Sequence, residues 1–184
     1  MAKILLTSCG FETLTIQNAF LTLIDKSPEF AKILFIPTAA TYVDAIMVLP
    51  KCMNDLLNIG IPKENITVYN MHYPISSSEI SEFDAVYFTG GDPSYLLETI
   101  NKFGFSPVIK EYIDNGGVYI GVSAGSLVAT NNMENNLGLV NCSIAVHVND
   151  SSSTPPGKFN ESSPAWLSSK NALIINGETK EIIR

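Results

Sequence analysis

Arginine is almost missing from this chain. Ten of its eleven basic residues are lysines, and the only arginine is the terminal Arg184. A planar guanidinium fork grips a carboxylate or phosphate through two parallel hydrogen bonds. Recognition of that kind is excluded for the rest of the sequence. Histidine is scarce as well, so any chemistry that needs an imidazole must choose between His72 and His147. The three cysteines, Cys9, Cys52 and Cys142, are odd in number and widely scattered. They have neither a zinc-ligand spacing nor the look of a disulfide framework, which predicts reduced, mostly buried thiols and no metal. No apolar run approaches the ~20 residues of a membrane-spanning helix. The opening MAKILLTSCG reads as a buried strand without a signal-peptide cleavage site, so a cytoplasmic protein is expected. A formal net charge of −7 weighs against nucleic acid or an anionic membrane as partner.

What the chain does have is apolar content, 46% over 184 residues, enough for one domain spanning 1–184 with a sizeable core. Short runs that are apolar almost throughout recur at Lys3–Ser8, Lys32–Pro37, Ile66–Tyr69, Ala85–Thr89 and Val118–Val122. They have the composition of strands buried on both faces. Helical stripes lie between them at Glu12–Ile24, Thr41–Ile59 and Pro107–Asn115, with Pro50 set to kink or split the second. This alternation predicts an α/β fold, a three-layer α/β/α sandwich around a mostly parallel central sheet. The last third differs. Leu137–Val148 reads as β-like, 149–164 as a Ser/Pro/Gly-rich loop, and Ala172–Ile175 with Thr179–Ile183 as a hairpin about Asn176-Gly177.

Residues 118–130, VYIGVSAGSLVAT, carry the chemistry. A β-rich run, a Gly-x-Ser-x-Gly turn and a small-residue helical run are the sequence form of a nucleophile elbow, which holds Ser123 out at the sheet edge. Gly121 and Gly125 leave room for so tight a turn. A serine hydroxyl needs a base within hydrogen-bond reach. His147 is favoured over His72 because it ends a β-like run that can pass beside the elbow. An acid should fix the base's tautomer, and Glu134 is chosen over Asp150, Glu161 and Glu178 as the only carboxylate between serine and histidine. A second glycine element, Thr89-Gly90-Gly91-Asp92-Pro93-Ser94, follows the fourth strand, at the sheet end where open α/β sheets bind ligands. The amides of Gly91 and Ala124 are expected to form an oxyanion hole, with Gly90 and Asp92 beside the substrate. Asp92 also suits a helix N-cap, with Pro93 at the first helical position.

Together, GGDPSYLL from Gly90 and GVSAGS from Gly121 resemble the peptidase E (aspartyl dipeptidase) and cyanophycinase family. The likeness extends to the TSCG start, the ILFIPTAA strand and the ALIINGETKEII end. It implies a class I glutamine amidotransferase-like fold with serine in place of the catalytic cysteine. It also implies Ser123 as nucleophile, His147 as base, Gly91 and Ala124 as oxyanion donors, and no cofactor. Some positions depart from the family pattern. The connection from Ser123 to His147 is short, a second acid position falls at Ser168 or Ser169, and the loop after His147 offers Lys158 and no arginine. The last departure speaks against Asp-X dipeptides as substrates. The expected partner is a small peptide substrate, with a homodimer left open. The alternative reading is a catalytically inactive or regulatory member that binds a small molecule or peptide.

Overall fold

In the computed structural model, which describes residues 1–184, the five apolar runs form one parallel sheet. Strands β1 (Lys3–Thr7), β2 (Ile33–Ile36), β3 (Ile66–Val68), β4 (Ala85–Phe88) and β5 (Val118–Val122) lie in the order β3-β2-β4-β5-β1. All of β2, β4 and β5 is buried, because helices cover both faces. Three strands bear directly on the site. β5 runs between β4 and β1, with Gly121 beside Phe88 and Val122 beside Thr7. The carboxyl ends of β1, β4 and β5 therefore open side by side.

Two apolar cores lie one on each face of the sheet. Helix α1 (Leu14–Ile24) begins where the Thr13 hydroxyl accepts the Ile16 N–H. It packs Ile16, Phe20 and Leu23 onto one face, together with Cys52 and Leu56. Those two residues belong to the second half of the stripe predicted over Thr41–Ile59. It divides at Val48 into α2 (Val43–Met47) and α3 (Leu49–Asn58), and Pro50 sits in the first turn of α3, where its missing N–H costs nothing. A short helix α4 (Ser77–Ile80) carries a capping box between Ser76 and Glu79. On the opposite face lie α5 (Pro93–Lys102), α6 (Phe105–Asp114) and α7 (Ala124–Val128), contributing Leu96, Ile100, Ile109 and Val128 to the other core.

The last third of the chain departs from the predicted pattern. Only Ile144–Val146 of the β-like run Leu137–Val148 becomes a strand, β6, and it joins a separate two-stranded parallel sheet. The stretch 149–164 contains a 3₁₀ turn at Asp150–Ser152 and strand β7 (Gly157–Lys158). β8 (Ala165–Leu167) is the partner of β6. Strands β9 (Ala172–Asn176) and β10 (Thr179–Ile183) extend the main sheet antiparallel from β1. Asn176 pairs with Thr179, so the hairpin turn is Gly177-Glu178, one residue later than expected. Gly177 supplies the positive φ of +61° that the turn needs. No helix is long and apolar enough to cross a membrane.

Candidate active site

The elbow is built by close approach of backbone. A Cβ on Gly121 would lie 2.7 Å from the Gly125 carbonyl oxygen, and one on Gly125 would lie 2.6 Å from that of Phe88. Only glycine lets β5 turn into α7 against β4. Ser126, fully buried, ties the turn to β1: its hydroxyl accepts the Thr7 N–H at 3.1 Å and lies 2.7 Å from the Gly121 carbonyl. The Ser123 N–H donates to the Thr7 carbonyl at 3.0 Å. Between these restraints Ser123 adopts φ 48°, ψ −105°, a region that serine rarely occupies.

The Ser123 hydroxyl oxygen lies 2.8 Å from Nε2 of His147. His147 follows β6 directly and is itself held at a positive φ of 59°. Its backbone N–H donates to Ser8 Oγ at 2.7 Å, and the same oxygen lies 3.2 Å from ring Nδ1. Cys9 Sγ is 3.7 Å from Nδ1. Ser8 and Cys9 follow β1, so residues from three places in the sequence converge on one imidazole.

No carboxylate joins them. Glu134, expected to orient the base, is an exposed turn residue with no hydrogen bond to His147, whose Nδ1 is turned towards β1 instead. Asp150 is drawn off by Lys170 at 2.6 Å and Arg184 at 3.5 Å, and the Lys170 hydrogen bond holds its carboxyl below the usual range. Glu161 pairs with Lys180 at 2.7 Å. Ser168 is buried and bonds the Asn171 side chain. His72 is exposed and lines a separate hollow with Tyr95 and Lys102.

The glycine loop lies beside the elbow, with the Cβ position of Gly90 only 3.2 Å from that of Ser123. Gly91 has a φ of +140°, and a Cβ there would run into the backbone of Ala39. Neither the Gly91 nor the Ala124 amide donates a hydrogen bond within the protein. Asp92 is engaged in local structure. It caps α5, accepting the N–H groups of Ser94 at 2.9 Å and Tyr95 at 3.1 Å.

These residues line a cleft of about 360 Å³, with Ser8, Cys9, Gly90, Gly91, Ser123 and His147 at its catalytic end. Tyr42, Val48, Glu12 and Lys51 also line it. Lys51 bridges Glu12 at 2.8 Å and Asp55 at 3.0 Å and donates to the Cys9 carbonyl at 2.9 Å. Burial pulls its pKa down, but the two carboxylates outweigh that and raise it. A larger depression of about 480 Å³ lies at the other end of the strands, near Lys3 and Val118, and holds neither histidine nor Ser123. The sequence reading missed Ser8, Cys9 and Lys51. The signal for Ser8 was available: β1 and β5 are adjacent parallel strands in such a sheet, so the residue leaving β1 sits beside the one leaving β5.

The family model for peptidase family S51 matches residues 4–150. An uncharacterized peptidase of Listeria monocytogenes is 28% identical over 133 residues, which cover 72% of this chain and 63% of that protein. A peptidase E of Shewanella amazonensis is 30% identical over 95 residues, 52% of this chain and 39% of that protein. The match therefore spans less than two thirds of the length of these relatives. Among solved structures, a putative peptidase E protein from Listeria monocytogenes superimposes with a TM-score of 0.72 at 24% identity, covering 100% of this chain and 98% of that one.

Proposed function

Because this chain belongs to peptidase family S51, we propose that it is a serine peptidase that cleaves short peptides, with Ser123 as nucleophile and His147 as base. The observation that carries this reading is the 2.8 Å contact between Ser123 Oγ and His147 Nε2, at a serine whose backbone is bent to present its hydroxyl to an open cleft.

Ser123 Oγ attacks the scissile carbonyl carbon while its proton passes to Nε2 of His147. The carbonyl oxygen takes up the negative charge beside the Gly91 and Ala124 amides, both without a protein acceptor. Collapse of the tetrahedral intermediate breaks the C–N bond, and Nε2 returns its proton to the departing amine. Water then attacks the acyl-enzyme, giving its proton to Nε2, and Ser123 is released when that proton returns to its oxygen. The sequence invokes no metal or organic cofactor. Gly90 and Gly91 line the cleft beside Ser123, where a peptide backbone would lie. The only cation of the cleft, Lys51, is already paired with two carboxylates. A substrate with an acidic N-terminal residue therefore finds no free positive partner there.

One observation favours the alternative of an inactive, peptide-binding member: no ion pair of the protein involves His147. A fluorophosphonate probe decides between them. Wild-type protein is expected to be labelled covalently at Ser123, with Ser123→Ala unlabelled. Folded wild-type protein that stays unlabelled near pH 8 makes the binding module the better reading.

A further inference from the structure

If the base is His147, something must keep its Nε2 free of a proton in the resting enzyme. The imidazole carries one proton when neutral, and only the form protonated at Nδ1 can accept from Ser123. In serine hydrolases with a complete triad a buried carboxylate does this, because it can only accept a hydrogen bond. Here the nearest group to Nδ1 is the hydroxyl of Ser8, 1% exposed and 3.2 Å away, with the Cys9 thiol farther off at 3.7 Å. No carboxylate makes a hydrogen bond to the ring. Glu134 is exposed and makes no hydrogen bond to the ring, Asp150 is paired with Lys170, and Ser168 is bound to Asn171.

We propose that Ser8 is the positioning residue of the catalytic base, forming a Ser123–His147–Ser8 arrangement in which a neutral hydroxyl stands in the place of a carboxylate. This rests on the peptidase reading above. A hydroxyl oxygen has two acceptor sites and one proton. The first site takes the His147 backbone N–H at 2.7 Å, which holds the histidine at its positive φ. The second takes Nδ1–H. The Cys9 thiol, a weak donor, lies 3.7 Å from the same oxygen, at the edge of this arrangement. During attack the Ser123 proton moves to Nε2 and goes no further. Ser8 keeps its own proton throughout and stabilises the imidazolium by accepting from Nδ1.

Two properties distinguish this device from a carboxylate. Ser8 can also turn its proton towards Nδ1, which places the ring proton on Nε2 and disarms the base, so the productive form is only part of the population. The imidazolium also gains a dipole in place of a full charge. Both make the enzyme slow by design, and both are repaired by a carboxylate at the same position.

The test compares Ser8→Ala and Ser8→Asp with wild type, using a fluorogenic peptide and ¹⁵N NMR of the histidine rings, with His72→Gln to assign the signals. Wild type is expected to show His147 largely protonated at Nδ1. Ser8→Ala loses that preference and about tenfold in kcat, the worth of one neutral hydrogen bond, with KM nearly unchanged. Ser8→Asp keeps both acceptor sites and adds a charge. It is expected to exceed wild type in kcat and to move the acid limb of its pH profile upward. Ser8→Ala with wild-type kcat and ring tautomer overturns the proposal, as does a folded Ser8→Asp no faster than Ser8→Ala. The NMR arm does not depend on turnover. A protein that fails to react with the probe but shows the Ser8-dependent tautomer loses the peptidase reading and keeps the Ser8 contact.

Discussion

Two non-glycine residues with positive φ meet at the catalytic end of the cleft: Ser123 at 48° and His147 at 59°. Each such conformation costs on the order of 1–3 kcal/mol and persists only where its surroundings over-determine it. Here they do: the Thr7 carbonyl and Ser126 hold one turn, and Ser8 holds the other. At the same scale Gly91 is open to a direct trial. Its φ of +140° and its approach to Ala39 leave no room for a methyl group, so Gly91→Ala must displace the loop and withdraw one amide from the developing oxyanion. Loss of one such donor is worth roughly 10²–10³ in turnover. Gly91→Ala should therefore hydrolyse peptide more slowly by about that factor while its KM changes little, and activity near wild type would remove Gly91 from the oxyanion hole. Glu134→Gln carries the opposite expectation. An orienting acid is worth about 10⁴ in the trypsin-like case, but Glu134 makes no hydrogen bond to His147, so its kcat should stay within about twofold of wild type.

Elements with a strong local code are legible in the sequence. Asp92-Pro93 specified the start of α5, Pro50 marked where the predicted stripe divides, and the glycines of the elbow specified a turn that nothing larger can make. Residues 137–148 misled because apolar content alone does not say which sheet a segment joins, and most of it has no strand partner. Glu134 misled for a related reason: nearness in sequence to Ser123 and His147 does not make a hydrogen bond to the ring, and none is formed. The group that does meet the ring comes from the other end of the chain, and adjacency of β1 and β5 was needed to find it. Asp92 tests the boundary between element and site. Its carboxylate takes both N–H groups at the head of α5, so Asp92→Ala should destabilise the protein by about 1 kcal/mol. In a chain of this size that lowers Tm by roughly 2–4 °C. Asp92→Asn should recover most of it, since asparagine caps comparably. Neither change is expected to alter KM. A KM raised tenfold by Asp92→Asn at unchanged Tm would mean that this carboxylate touches substrate after all.

For the whole molecule, the two-sided sheet that places the site also sets the alkaline limit of the fold. Tyr87 and Tyr119 are fully buried in opposite cores, and burial pushes both phenols well above the ordinary value. Burial also raises Tyr112, and takes Tyr69 up to about 12. The Cys142 thiol is pushed by burial, with a smaller contribution from Glu161, up to about 11. In every case the folded state favours the protonated, neutral form. Their contribution to stability is therefore complete below the unfolded values, near 9 for the thiol and 10 for the phenols, and is lost as pH rises through the folded values. Urea midpoints should fall from about pH 9 upward, with Cys142 acting first and the tyrosines from about pH 10. Four of the seven tyrosines are in this group. Absorbance at ~295 nm should therefore reach the value for complete tyrosine ionisation only together with loss of the far-UV CD signal, because the last phenols cannot ionise while the sheet stays covered. Full tyrosinate absorbance with native CD would mean that water reaches both faces of the sheet, which the packing of α1 and α3 on one side and α5, α6 and α7 on the other does not allow.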